Sequence, residues 1–165
     1  MSHVVEALGD QHLDGFDCGN GELNDWLCHH AAGATGQGTR TYLLAAGAKT
    51  VGYFAIAPHH LARDDAPKKI ARGAPAQIPA ILLAKLALDR SLQGKGMGAE
   101  LLDAALVIIV KVARRAGGRL VVVDAIDDDA AAFYRHHDFI PLPESSRRLV
   151  LKLSTAAKSL GVPWP

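Results

Sequence analysis

The stretch Leu86-Ala87-Leu88-Asp89-Arg90-Ser91-Leu92-Gln93-Gly94-Lys95-Gly96-Met97-Gly98 decides the fold. It continues an apolar run from Ile81 to Leu88, broken only by Lys85, whose length and flanks predict a central strand. From Met97 to Ala116 the pattern turns helical. Leu101, Leu102, Ala105, Leu106, Ile109, Val110 and Ala113 share one face, and Gly117-Gly118 marks the stop. A strand that turns through glycines into a helix presents unpaired N–H groups and the positive end of the helix dipole. That arrangement receives a phosphate or pyrophosphate. Glycines let the backbone approach such an anion closely, and Lys95 adds charge. The chain contains no G-x-x-x-x-G-K-[ST] nucleotide loop, and Gly94 to Gly98 reads G-x-G-x-G rather than the G-x-G-x-x-G of dinucleotide sites.

Upstream, Asn20 is the expected N-cap of a helix carrying Leu23, Trp26, Leu27 and His30, which fades near Gly33, Gly36 and Gly38. Thr39 to Ala46 and Val51 to Ala57 predict a hairpin turning at Gly47-Ala48-Lys49. Pro58 to Ala80 holds four prolines (58, 67, 75 and 79) and predicts a long loop with a short helical turn. Downstream, Leu120 to Val123 reads as a strand. Asp127 to Asp129 open a helix, where carboxylates suit the dipole, and it runs over Ala130 to His137. Leu149 to Leu153 reads as the last strand. This order predicts one α/β domain, residues 1–165, built on a mixed sheet.

Composition agrees with a globular domain: 49% hydrophobic and 21% charged residues. No apolar run is long enough for a membrane-spanning helix, and Met1 to Asp10 lacks the layout of a signal peptide. Two cysteines, Cys18 and Cys28, make no disulfide framework, so a reducing cytoplasm is expected. The net charge of +1 conceals a division. Residues 1–39 carry six acids and no Lys or Arg; the remainder carries all 18 basic residues against 11 acids. Such asymmetry predicts separate surfaces for different partners. His29-His30, His59-His60 and His136-His137 are adjacent pairs, and Cys18 with Cys28-His29-His30 lacks zinc spacing, so no metal is expected.

The glycine loop resembles the acetyl-CoA loop of the GNAT superfamily of N-acetyltransferases, [QR]-x-x-G-x-[GA], through Gln93, Gly96 and Gly98. The superfamily's later A-x-x-F-Y helix and following aromatic match Ala130, Phe133, Tyr134 and Phe139. Phe16 to Leu27, Arg40-Thr41-Tyr42, Val51-Gly52-Tyr53 and Ile78-Pro79 to Asp89 further resemble TacT-like acetyltransferase toxins of type II toxin–antitoxin modules, over roughly residues 5–155. The resemblance implies a GNAT-type mixed central sheet with splayed central strands flanked by helices. It implies that the backbone of Leu86, Ala87 and Leu88 pairs with the pantetheine arm of acetyl-CoA. Gln93, Gly94, Lys95, Gly96, Met97 and Gly98 bind the pyrophosphate, with Asp127 and Phe133 completing the coenzyme contacts. Acetylation of the α-amino group of aminoacyl-tRNA, arrest of translation, a small ribbon-helix-helix antitoxin and a homodimer are likewise implied. Acetylation of a small amine, a peptide N-terminus or a protein lysine is the alternative. A non-catalytic acyl-CoA-binding module is disfavoured by the intact loop and Tyr134.

Many GNAT enzymes carry a glutamate base on the central strand; Ala84 stands there here. An α-amine titrates near 7.7–8.0 whereas a lysine amine titrates near 10.4, so an aminoacyl ester tolerates that loss best. Tyr134 matches the superfamily's general acid, a phenol that stays protonated at neutral pH. Asp127 replaces a common asparagine, and Asp138 a glycine whose turn Asp tolerates better than most residues. Among the basic residues, Lys69, Arg72 and Arg90 are the expected RNA contacts.

Overall fold

The computed structural model describes residues 3–165. In chain order the elements are β1 (Val4–Ala7), α1 (Gly21–His29), α2 (Ala31–Thr35), β2 (Arg40–Ala46), β3 (Lys49–Ala62), α3 (Lys68–Ala71) and β4 (Gln77–Leu88). They continue with α4 (Met97–Ala116), β5 (Leu120–Asp124), α5 (Asp128–His136), β6 (Ile140–Leu142), β7 (Ser145–Lys152) and α6 (Leu153–Leu160). Among the described residues the strands form a seven-stranded mixed sheet in the order β1-β2-β3-β4-β5-β7-β6. No described helix is long and apolar enough to cross a membrane. The chain divides into two compact units, one of residues 1–57 with 84–105 and one of residues 58–83 with 106–165.

In the first unit β1 and β3 flank β2, both antiparallel to it. Asn20 caps α1 as the sequence predicts, its side-chain oxygen accepting from Leu23 N at 3.1 Å. Neighbouring polar side chains brace the approach to that cap. Asn24 Oδ1 accepts from Cys18 N at 2.9 Å, and Asp17 Oδ1 accepts from Gly19 N at 2.8 Å. The core joins Phe16, Leu27, Ala31, Leu43, Tyr53 and Ala87. Tyr53 stacks on Trp26 with ring centroids 5.9 Å apart and donates its hydroxyl to Leu23 O at 2.7 Å. Its polar end is therefore satisfied while its ring is buried, the condition for a tyrosine inside a core. A neighbouring cluster holds Leu44, Val51, Leu88 and Leu101, with Leu86, Leu92 and Met97 packed against it.

In the second unit β4 and β5 pair in parallel from Ala80↔Leu120 to Leu83↔Val123, and β7 pairs antiparallel with β5 and with β6. Leu61, Ile70, Ile78, Leu120, Val122 and Val150 form the main cluster. The seven apolar residues predicted for α4 are all buried, and the helix has the predicted bounds. Asp127 caps α5 through a 2.8 Å bond from Ala130 N, and Asp138 takes the predicted left-handed turn at φ 73°.

The region 58–80 departs from the expected loop. β3 runs through Pro58 to Ala62, and β4 already begins at Gln77, leaving a 3-10 turn and α3 between them. Pro58 and Pro79 both sit at exposed strand positions. Proline removes a donor, but its carbonyl still accepts: Arg119 N donates to Pro79 O at 2.8 Å. Three further elements escape periodicity. β1 is a short, mostly exposed edge strand, β6 spans three residues around Pro141, and α6 follows directly on β7 at Leu153. The final strand accordingly spans Ser145–Lys152, and Leu153 belongs to the helix.

Candidate active site

The loop between β4 and α4 is organised by Asp89. This carboxylate is 5% exposed and accepts from Asp17 N at 3.0 Å, Ser91 N at 3.1 Å and Ser91 Oγ at 2.7 Å. Burial alone pushes its pKa up. The bonds from Ser91 and Asp17, with Lys49 at longer range, outweigh that and hold it below the ordinary carboxylate value. Its own N–H donates to Val51 O at 2.8 Å, tying the loop to β3.

Gln93 supplies the second brace. Its side-chain amide donates to Cys18 O and Leu88 O, both at 2.8 Å, so the residue that opens the motif clamps the loop across its base. Gly94 and Gly96 then take φ of 74° and 77°, the left-handed region that favours glycine, and a Cβ at either would meet nothing within 4 Å. Their role is conformational, and the space above them is open. α4 begins at Met97, and Glu100 is its first acid. Lys95 is exposed, Leu86 and Met97 are half-buried, and Ala87 and Leu88 are buried. An open turn of glycines leading to a helix N-terminus beside a lysine fits the pyrophosphate of a coenzyme.

Arg90 is anchored in the same unit. Its N–H donates to Asp17 O at 2.8 Å, and its guanidinium lies 3.5 Å from the Asp17 carboxylate. Lys85, next to the base-less Ala84, places its ammonium 5.5 Å from the Trp26 ring centroid.

In the second unit, Tyr134 is buried on α5 with edge-on contacts to Phe133 and Phe139, at centroid distances of 5.4 and 5.3 Å. Burial pushes its phenol above the ordinary value, so the hydroxyl stays protonated at neutral pH. Asp127 uses one carboxylate oxygen to cap α5, and half-buried Phe133 packs on His137 at 4.7 Å. Lys69 on α3 and Arg72 at its C-cap are exposed. The structure thus brings Leu86, Ala87, Leu88, Gln93, Gly94, Lys95, Gly96, Met97 and Arg90 into one unit, and Asp127, Phe133, Tyr134, Lys69 and Arg72 into the other.

A cluster that sequence reading passes over lies in the second unit. Arg148 Nη2 donates to His59 Nε2 at 2.7 Å, and Arg148 Nε lies 3.1 Å from Asp124 Oδ1. That N–H is buried and is not aimed at the carboxylate closely enough for a hydrogen bond, so the second contact is an ion pair only. Arginine cannot accept, so His59 Nε2 is unprotonated. Burial first, then Arg148 and His60, lower the His59 pKa against the opposite pull of Asp124. The one sequence signal for the cluster is an acid, Asp124, that ends an otherwise apolar strand.

Residues 37–141 match the family described as Acetyltransferase (GNAT) domain. The chain belongs to the GNAT acetyltransferase family. As a GNAT enzyme it is an N-acetyltransferase with acetyl-CoA as acyl donor. It is 36% identical over 147 residues to a tRNA-acetylating toxin of Mycobacterium tuberculosis H37Rv, covering 88% of this chain and 89% of that protein. Among solved structures, a Tyr-to-Phe mutant of KacT superposes with a TM-score of 0.89 at 27% identity, over 96% of this chain and 99% of that one. AtaT complexed with acetyl-methionyl-tRNAfMet superposes at 0.86 and 29% identity, over 97% and 98%. AtaT has also been solved as a Tyr-to-Phe mutant toxin bound to the C-terminus of the antitoxin AtaR and acetyl-CoA, at 0.81 and 28% identity, over 96% and 98%. The seven-stranded mixed sheet flanked by helices is therefore the GNAT fold expected from the sequence.

Proposed function

We propose that this GNAT enzyme is a toxin that acetylates the α-amino group of the amino acid on charged tRNA and thereby blocks translation. The observation that carries this reading is near-full-length similarity, at 36% identity, to a protein named for tRNA acetylation. The AtaT complex with acetyl-methionyl-tRNAfMet supports it from the structural side. The chain acts as one catalytic domain in the cytoplasm, as a homodimer neutralised by a small ribbon-helix-helix antitoxin.

Leu86, Ala87 and Leu88 hold the pantetheine arm by their backbone. Gly94, Gly96 and Gly98, with Gln93, Lys95 and Met97, hold the pyrophosphate, and Asp127 and Phe133 border the coenzyme. Tyr134 donates a proton to the leaving thiolate. Tyr134 stands at the tyrosine of the A-x-x-F-Y motif, and its hydroxyl, unlike that of Tyr53, is not given to a backbone carbonyl. The Tyr-to-Phe mutants chosen for KacT and AtaT fit a functional tyrosine in such enzymes. Lys69, Arg72 and Arg90 contact tRNA phosphates.

The test is transfer of labelled acetyl from acetyl-CoA to bulk charged tRNA by wild type and by Tyr134→Phe. Labelled aminoacyl groups with wild type, and a rate about 100-fold lower with the variant, are expected. Absence of label on every charged tRNA, from protein that binds acetyl-CoA, would discard the substrate. Equal rates would remove Tyr134 from the reaction.

A further inference from the structure

At the start of β5, Leu120 pairs with Ala80 on β4 and with Lys152, the last residue of β7. Residues directly opposite on neighbouring strands project to one face, and the two-residue period adds Ile78 to that face. Ile78 and Leu120 accordingly share a core cluster with Ile70 of α3. A cavity of about 230 Å³ opens beside them, with Ile70, Ile78 and Leu120 as its apolar lining. Arg119, Lys152, Ser154 and Trp164 complete it. All of these residues belong to the second unit, and none is part of the glycine loop.

The charge of this lining is one-sided. Arg119 is fixed through its backbone: its N–H donates to Pro79 O at 2.8 Å, and its carbonyl accepts from Leu153 N at 2.9 Å. Its guanidinium gives one donor to Gly73 O at 3.4 Å and keeps the others. Lys152 is exposed. Among the described residues neither cation pairs with an acid, and no acid lines the cavity. Ser154 adds a hydroxyl from the first turn of α6, which contains no acid.

The tail after α6 delivers the aromatic group. Gly161 ends the helix at φ 67°, and Val162 N donates back to Ala157 O at 3.0 Å, which turns the chain. Pro163 and Pro165 then fix φ on both sides of Trp164. The indole is held half-buried at the cavity by a stiff segment.

We propose that this cavity binds a nucleoside monophosphate, its phosphate held by Arg119, Lys152 and Ser154 and its base stacked on Trp164. A phosphomonoester carries about −1.5 to −2 charges at neutral pH, which two cations match; a carboxylate would leave one cation unpaired. Any base offers a flat face to an indole, and the apolar lining keeps water from that contact. The volume lies below the roughly 300 Å³ at which pockets begin to enclose whole drug-sized ligands, so it suits one ring and one anionic group rather than a length of peptide. The same chemistry is presented by a free nucleotide and by the 5′-phosphorylated end of an RNA strand. The inference is independent of which amine the enzyme acetylates.

The experiment is calorimetric titration of the full chain with adenosine 5′-monophosphate, with coenzyme A at saturation so that the coenzyme site is occupied. Saturable binding is expected, with adenosine and inorganic phosphate each at least about tenfold weaker. Arg119→Gln and Lys152→Gln should each weaken the nucleotide about tenfold and leave coenzyme A affinity unchanged. Trp164→Ala should weaken it about tenfold, and Trp164→Phe, which keeps a ring, should recover most of that. A short RNA bearing a 5′-phosphate is compared with the same strand bearing a 5′-hydroxyl. Preference for the phosphorylated strand, lost in Lys152→Gln, would make the RNA end the source; binding of the mononucleotide alone would make it the free nucleotide, and both support the site. Failure of both the mononucleotide and the phosphorylated strand to bind at millimolar concentration overturns the proposal. So does nucleotide binding that is indifferent to all three positions, or inorganic phosphate that binds as tightly as the nucleotide. A peptide with a free terminal carboxylate that binds where the nucleotide does not would give the cavity to a protein partner and overturn it as well.

Discussion

The carboxylate of Asp89 accepts the backbone N–H of Asp17 at 3.0 Å, joining positions 72 residues apart. With two bonds from Ser91, the same group also shapes the turn that leads to the glycine loop. Asp89→Ala leaves three donors without this acceptor and should cost about 2–3 kcal/mol, read by thermal melting. The native pKa is depressed, so this contribution is complete above the ordinary carboxylate value of 3.8 and fades as pH falls through the lower native value. The difference in melting temperature between wild type and Asp89→Ala should therefore shrink in strong acid. A constant difference would contradict the assignment.

Two glycines should fail for opposite reasons. A Cβ at Gly52 would lie 3.3 Å from Ala87 O and from Leu44 Cβ, so Gly52→Ala must push the strands apart, at about 1–2 kcal/mol. Gly96 has open space but φ of 77°, so Gly96→Ala strains the turn by about 1–2 kcal/mol and reshapes the loop. Melting should register both substitutions. Calorimetric titration with acetyl-CoA should show the larger affinity loss in Gly96→Ala.

The sequence displays some of this plainly and hides the rest for physical reasons. α4 is legible because twenty residues carry one apolar face to a glycine stop, and α5 because Asp127 announces its cap. Gln93, Gly96 and Gly98 mark the glycine loop between β4 and α4 by residue type and order. The clamp that Gln93 makes on Cys18 O and Leu88 O is invisible, because it depends on segments that meet only on folding. β1 is unreadable since an edge strand paired on one side needs no apolar alternation. His59 and Arg148 read as one member of a histidine pair and one of an arginine pair. Only the strand order brings them within 2.7 Å.

Charge on the proposed RNA contacts can be counted. Lys69→Gln and Arg72→Gln should each lower tRNA affinity and flatten the slope of log K against log salt by about 0.7–0.9. Arg90→Gln should change the slope less, since its guanidinium already lies 3.5 Å from the Asp17 carboxylate. Filter binding of charged tRNA across a salt series decides the point. Slopes unchanged in all three variants would place the RNA elsewhere.

The His59–Arg148 contact sets a pH response in the native protein. The hydrogen bond requires His59 unprotonated, and its pKa is lowered by burial first and by Arg148 and His60 next, with Asp124 pulling the other way. A histidine whose native pKa lies below its unfolded value binds more protons when unfolded. Its contribution is full above the ordinary value of 6.5 and is lost as pH falls toward the native value. His59→Gln keeps an acceptor for Arg148 and has no proton to gain. Between about pH 7 and 5, the melting temperature of wild type should fall more steeply than that of His59→Gln. Parallel curves would mean that the contact contributes nothing to stability.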